Sequence, residues 1–583
     1  MSSEGSPTSK FHKGAEEAVH MAWNGNYDGA ELILNAKKEV NPRWALEFAL
    51  VHTVKGFLKQ SNEQRESLLD LFKHADGLAT AAKYGQPLIS DSSDDEDVAI
   101  AESAEQDVAD DLSEKDRKKI AKIKAEAAKK QREKDKKDFK KSLKEGNDNR
   151  DISWKLECDI VYADALLARS VIQLMMNSYL RGGINLRTTW GCYHALMQEV
   201  EKDTNGIIPR EVVNNIKFGC GTFYTYLALV PAGLMKLLNA IGFISDKELG
   251  EQYLTEVFQS NTIRSPLAAL VLCTYYLFLP TGLGNVHETL AKAKVVLEAM
   301  NARYPDNTHF HGYTNFFHRK RGETKEALEA IEHATANAEK GGLIPLLLQY
   351  LHADTLFMDL QFAKAKEKYE LVLSTLEKTK ETFAYTGQVV LSLAACYMML
   401  GDEAQANAHL KKVGTMYNPK SKNDANSPKY AARVLKHQHL LPMIGVYILY
   451  INRDLAHMSK ETSNRLLGEL ERMTAGRDLS APEASCMYNL FKGVIQKCLG
   501  NKDAAVAEWE KVLALEKKLP TDSMVLPYVY YEMGELEYRR GNLQKSKEHF
   551  EKGQALKGDG HETLANRYSI AMKQLRRAIA DGK

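Results

Sequence analysis

The sequence has almost no net charge: 78 Lys and Arg stand against 77 Asp and Glu, leaving +1 over 583 residues. No global field therefore draws the whole chain to nucleic acid or to an acidic surface, and an electrostatic partner must be met locally. Cysteine is scarce and unpaired. Cys158, Cys192, Cys220, Cys273, Cys396, Cys486 and Cys498 stand singly in apolar helical stretches with no CxxC pair, which reads as buried thiols in a reducing compartment. No apolar core follows a basic start in the opening MSSEGSPTSKFHKG, so these residues are expected to be a short flexible lead, neither a secretory signal nor an anchor. Long apolar runs are missing as well. The uncharged run Phe218 to Met235 is marginal for a membrane span, contains Pro231 and hydroxyl side chains, and is followed by Lys236. We read it as a buried helical hairpin, with membrane insertion as the alternative.

Catalytic signatures are absent too. No P-loop occurs, and Gly219-Cys220-Gly221 lacks the third glycine and the preceding strand of a dinucleotide fingerprint, so it reads as a close helix crossing. There is no GxSxG elbow, HExxH or EF-hand pattern. The pairs His309/His311 and His437/His439 are spaced by two, which does not place both rings on one helical face, and they read as solvent-facing or capping residues. Carboxylates are abundant, but nothing marks two of them as sharing a shielded pocket. The sequence accordingly predicts no catalytic residue, no cofactor and no metal, and a protein that is not an enzyme.

What is there is helical. Hydrophobic residues make up 44% and charged residues 27%, as in soluble folded proteins, and the chain is too long for a single core. Near the N-terminus Ala15, Ala18, Val19 and Ala22 share one face, Asn24-Gly25-Asn26 makes a turn, and Ala30, Ile33 and Leu34 share the next face before Pro42 closes that helix. From Leu88 to Asn147 the chemistry changes to an acidic stretch beginning SDSSDDED, then a lysine-rich one. Few apolar side chains occur there, chiefly Ile120, Ile123 and Phe139 in the basic block, so the segment is expected to be a disordered linker or a solvated single helix. Between Lys115 and Lys141 fourteen Lys or Arg face five acidic residues. A solvated linker is our first reading of this block; an acidic membrane or droplet surface comes second and RNA last, because Phe139 alone could stack on a base. Ser92 and Ser93 each have a carboxylate three residues on, at Asp95 and Glu96, and are candidate sites for an acidophilic kinase.

The C-terminal half repeats. Gly322, Leu360, Gly401, Gly500 and Gly541 align as turns, with room for one divergent unit between Gly401 and Gly500. Five residues after each stands a small residue (Ala327, Ala365, Ala406, Ala505, Ser546) and four further on a large one (Ile331, Tyr369, Leu410, Trp509, Phe550). Ahead of the turns, Ala353, Ala394, Gly493 and Gly534 hold the small position of the first helix, where the first unit has Asn315 instead. This is the A-x3-F element of a tetratricopeptide repeat, in which a small side chain lets two helices approach and a bulky one fills the space between them. Gly25, Ala30 and Leu34 hold the same offsets. The predicted fold is all-α: antiparallel helix pairs stacked into a right-handed superhelix, with a charged linker inserted.

Three stretches carry a closer likeness: Glu157 to Arg187, Ile216 to Leu254 and Tyr530 to Phe550. Through them nearly the whole chain resembles the family that contains tetratricopeptide repeat protein thirty-nine of animals and the fungal inclusion-body clearance protein. The resemblance implies a superhelix devoted to protein contacts, soluble or peripheral, and for fungal-type members a link to clearance of misfolded-protein inclusions and to lipid droplets. The expected organisation is a flexible 1–10, helical hairpins over 11–87, the charged linker 88–147, a family-specific helical domain over 148–300 and the repeat superhelix 301–583.

The function expected first is a cytoplasmic scaffold, with the nucleus as a second location, whose first helices line a groove that accepts a peptide or helix. Asn315, Arg319, Gln349, Asn489 and Tyr530 are the candidate groove residues. Matched Lys, Asn and Arg of a carboxylate clamp are not found, so heat-shock chaperone tails are not the first partner expected. A peripheral membrane or lipid-droplet protein acting in lipid homeostasis is the alternative.

Overall fold

The computed structural model describes residues 14–57, 62–84, 152–176, 178–227, 246–278, 282–283, 286–343, 345–421, 423–556 and 561–582. Every regular element among them is a helix. The charged segment 88–147, with Ser92 and Ser93, lies outside the described residues. So does the second part of the Phe218–Met235 run.

At the N-terminus α1 (Ala15–Trp23) and α2 (Tyr27–Asn35) flank a turn in which Gly25 takes φ 82°, and the Asn26 side chain caps α2 by accepting from the Gly29 amide. Ala30 and Leu34 are fully buried, as the repeat offsets require. Pro42 opens the next helix rather than closing α2: α3 (Pro42–Phe57) is followed by α4 (Asn62–Tyr84). Among the described residues six helices then precede the repeats: α5 (Ile152–Met175), α6 (Tyr179–Lys202), α7 (Arg210–Leu227), α8 (Lys247–Gln259), α9 (Ser265–Phe278) and α10 (Val286–Arg303). Phe218–Leu227 forms the end of α7, where Phe218, Cys220 and Phe223 are buried. The crossing expected at Gly219 and Gly221 is real. A Cβ on Gly221 would stand 3.0 Å from the carbonyl oxygen of Gly250 on α8.

The repeats follow as pairs: α11 (Thr308–Arg321) with α12 (Thr324–Lys340), α13 (Leu346–Met358) with α14 (Phe362–Thr379), α15 (Thr386–Met399) with α16 (Glu403–Met416). After the divergent unit come α20 (Pro482–Leu499) with α21 (Lys502–Ala514), α22 (Val525–Arg539) with α23 (Leu543–Ala555), and a final α24 (His561–Ala580). All five aligned turn residues adopt the left-handed conformation: φ is 74° at Gly322, 62° at Leu360, 90° at Gly401, 91° at Gly500 and 81° at Gly541. Leu360 does so without being glycine. The small and large residues after each turn are buried in every one of these units.

The divergent unit is built of α17 (Ser427–Lys436), a 3-10 turn over Gln438–Met443, α18 (Ile444–Ile451), a second 3-10 turn over Asp454–His457, and α19 (Lys460–Thr474). Its left-handed residue is Arg453, φ 68°. The residues between Arg453 and Lys460 delay the second helix, and Ser463, fully buried, takes the place of the repeat alanine three residues after the helix start.

One apolar core runs from Ala15 on α1 through the repeats to Leu575 on α24. The N-terminal hairpin is docked far along the sequence: Asn307 donates to the carbonyl of Trp23 at 2.7 Å, His20 Nδ1 meets the Tyr304 hydroxyl at 2.8 Å, and Trp23 stacks on Phe310.

Candidate functional site: the inner face of the repeats and its charge clusters

An open tetratricopeptide groove leaves one side of its first helices in water. Here that side is closed. All eight residues of α18 are buried, as are all but two of the thirteen in α13, whereas α14 buries only Phe362, Ala365, Tyr369 and Val372. A helix apolar all round belongs to an interior. The inner faces meet one another: Tyr450 on α18 packs at 5.2 Å between ring centroids on Tyr528 of α22 and at 6.0 Å on Phe491 of α20, and Arg567 of α24 reaches the carbonyl of Ile451 at 3.2 Å.

This placement corrects the expected groove residues. Asn315 has no exposed surface, and its amide nitrogen donates to the Ala327 carbonyl at 2.9 Å and to Thr355 at 3.0 Å, tying α11 to α12 and α13. It stands at the small position because it bridges the two helices that an alanine would merely let approach. Arg319 is buried between Asp354 at 2.7 Å and Asp454 at 3.0 Å, so its charge joins the first unit to the divergent one. Tyr530 is buried, with its hydroxyl near Glu516 at 3.3 Å, and Asn489 is buried beside Ser485. Gln349 is half-buried on α13. Apart from the half-buried Gln349, whose Oε1 has no hydrogen-bond partner, none of the five offers a free side chain to a peptide lying along the first helices, because those faces lie against protein. Amphipathicity within single helices does not report that contact.

The charges inside this seam are compensated. Burial alone would lower the Arg319 pKa, but Asp454 and Asp354 hold it charged, while burial pushes Asp454 up to about 6. Farther along, Lys497 pairs with Glu532 and, at 3.1 Å, with Glu535, and Tyr450 donates to Glu532 at 2.9 Å.

A second cluster explains part of the Glu157–Arg187 stretch. Arg43 on α3 is fully buried and pairs with Glu157 on α5 and with Glu47 at 3.2 Å. Arg264 donates to Glu47 at 2.8 Å and to Asp164 at 3.3 Å, and the Tyr193 hydroxyl donates to Asp164 at 2.7 Å. Around this core Lys83 pairs with Asp159, and Arg169 with Asp76. Burial opposes ionisation of Glu47, but Arg264 and Arg43 outweigh it and hold the carboxylate below its usual range. The pairs Arg43–Glu157, Lys83–Asp159 and Asp76–Arg169 span the insertion, so folded helices clamp its two flanks together.

The histidine pairs meet expectation only in part. His309 is buried against the Tyr27 hydroxyl at 3.4 Å, not solvent-facing, and burial lowers its pKa to about 4. His311 is half-buried and packs on His333. His437 is the C-cap of α17. Because the helix ends there, the geometry that separates side chains two apart no longer applies: the rings of His437 and His439 lie 5.7 Å apart, and Glu483, in the first turn of α20, reaches His437 Nδ1 at 3.2 Å. Sequence spacing gave no sign of Glu483, which lies more than forty residues away.

Among the described residues no helix is long and apolar enough to cross a membrane. The fold is that of a helical repeat scaffold for protein interactions. The chain belongs to the Iml2/Tetratricopeptide repeat protein 39 family, whose model matches residues 109–499. Solved structures similar to it include the human IFIT1 dimer with m7Gppp-AAAA (14% identity, 87% of this chain and 95% of that chain, TM-score 0.33). Another is the APC/C hetero-tetramer Cut9-Hcn1 (12% identity, 97% and 96%, TM-score 0.23).

Proposed function

We propose that this protein is a non-catalytic scaffold in the cytoplasm that gathers other proteins on the charged segment 88–147 and on its outer second helices, in the service of inclusion-body clearance. The observation that carries the reading is the clamp across the insertion: Arg43–Glu157, Lys83–Asp159 and Asp76–Arg169 fix both ends of a segment that is acidic, then basic, on a closed and internally packed helical body. A segment held at two fixed points meets a partner at a smaller entropic cost than a free tail does. With the inner face filled by protein, binding falls to this segment and to the polar second helices.

Affinity purification with mass spectrometry tests it, using the full chain beside a version whose residues 88–147 are replaced by an uncharged linker of equal length. Loss of the principal partners from the replaced chain is expected; an unchanged partner set overturns the reading. The excess of nine positive charges between Lys115 and Lys141 supports a second reading, adsorption to an acidic membrane or droplet surface. Droplet flotation distinguishes it, since a purely electrostatic adsorbate leaves on salt washing.

A further inference from the structure

We propose that His437, His439 and Glu483 form a divalent transition-metal site, of the zinc class, joining the divergent repeat to the one that follows it. Each of the three offers one ligand atom, and the three atoms lie within 4.8 Å of one another. Two imidazoles and one carboxylate are a ligand set suited to Zn2+, which binds nitrogen and oxygen donors at about 2.0 to 2.2 Å with about 3.3 Å between the donors of a tetrahedron. Side-chain rotation of the order of an ångström closes the observed spacing to that geometry.

Two further observations point the same way. His439 Nε2 is buried and has no hydrogen-bond partner, although an imidazole nitrogen so placed ordinarily finds one. The three residues line one small cleft together with Asp522, Met487 and Arg433. The cations nearby have partners of their own: Arg433 donates to the Tyr447 hydroxyl at 2.6 Å and Lys436 pairs with Asp522 at 3.3 Å. Without a metal, the His437–Glu483 contact is a simple ion pair at a helix N-terminus, and that is the competing account.

Backbone geometry makes the site. The non-helical φ of −111° at His437 ends α17 and the chain enters a 3-10 turn in which Leu440 donates to the His437 carbonyl at 2.8 Å, which brings His439 round to the same side. A bound ion crosslinks this turn to the start of α20 and has room for a fourth ligand, a water or a partner's side chain.

The test is titration of the full-length reduced protein with Co2+ as a spectroscopic stand-in and with Zn2+ in competition against a chromophoric chelator. Visible d–d absorption saturating at one equivalent, without a thiolate charge-transfer band, is the expected result, because the seven cysteines are not ligands here. Glu483→Gln, which keeps the shape of the side chain, should weaken Zn2+ at least about tenfold, and a His437→Ala/His439→Ala chain should abolish the signal. His333→Ala should leave it unchanged. Circular dichroism melting verifies that the variants are folded. No stoichiometric uptake by the wild-type chain, or uptake by the Glu483→Gln and double-alanine chains as tight as that of wild type, overturns the proposal and leaves the ion pair as the whole of the contact.

Discussion

The indole of Trp509 occupies the space where Gly493 has no side chain, and its Nε1 donates to the Leu490 carbonyl at 3.3 Å across the helix pair. A Cβ on Gly493 would stand 2.7 Å from Trp509 Cδ1, far inside van der Waals contact. Gly493→Ala is therefore expected to destabilise the protein by roughly 1 to 3 kcal/mol, despite the better helix propensity of alanine. Chemical denaturation checks it. A stability equal to or above wild type shows that the pair gives way without cost.

Removing Arg264 leaves Glu47 and Asp164 buried without their shared cation. Arg264→Met, close in length but uncharged, is expected to cost about 3 to 5 kcal/mol, the range for breaking one side of a buried ion pair. The effect should be smaller in Glu47→Gln/Arg264→Met, which removes one of the stranded charges along with the cation. Urea unfolding of wild type, single and double variants measures the difference.

Acid should unfold the protein earlier than carboxylate protonation alone requires. His309 and His352 are held neutral with pKa values near 4, and His457 near 3, against an unfolded value of 6.5, with burial the leading cause in each. Between those values and 6.5 the unfolded chain binds more protons, so stability is full above 6.5 and falls as the pH drops. From pH 6.5 to pH 5 each such histidine removes up to roughly 2 kcal/mol. Asp454, raised to about 6, works in the opposite direction between 6 and 3.8 and offsets part of this loss. Melting temperatures from pH 7 to pH 5 should fall, and less steeply in His309→Gln. An equal slope in that variant removes His309 from the account.

Trypsin should cut first between Lys115 and Lys144, where lysines crowd a segment poor in apolar residues. The structure adds a consequence: after that cut the two fragments should remain together, because Arg43–Glu157, Lys83–Asp159 and Asp76–Arg169 join residues on either side of it. Co-elution on size exclusion is expected, held by these pairs and by the apolar cluster that Leu46 and Phe72 share with Cys158 and Val161; Glu157→Gln/Asp159→Asn should weaken it, so that the fragments part at a lower urea concentration. Separation of the wild-type fragments under native conditions contradicts the clamp.

The repeat register was legible because it rests on local chemistry. Glycine is the residue that enters the left-handed region at least cost, and a small residue five positions later is what a close helix crossing demands, so Gly322, Gly401, Gly500 and Gly541 marked their turns. Leu360 was found only through its neighbours Ala365 and Tyr369. The divergent unit was seen as a gap, since Arg453 carries no glycine signal and the second 3-10 turn delays the next helix. The closed inner face was the main miss. It had a sign in the sequence, IGVYILYI, apolar on every side over Ile444–Ile451, but how far a superhelix curls depends on contacts between units several helices apart. The approach of His437 to Glu483 was hidden for a related reason: it depends on where α17 stops.

The docking of the N-terminal hairpin also places a demand on the ribosome. His20 and Tyr304 are 284 residues apart in sequence, which at 5 to 20 residues per second is roughly 15 to 60 seconds of synthesis. For that interval Val19 and Trp23 have emerged while Tyr304 and Phe310 have not yet been made. The nascent chain carries an uncovered aromatic face for about half of its translation, and its first helices wait for neighbours made 284 residues later.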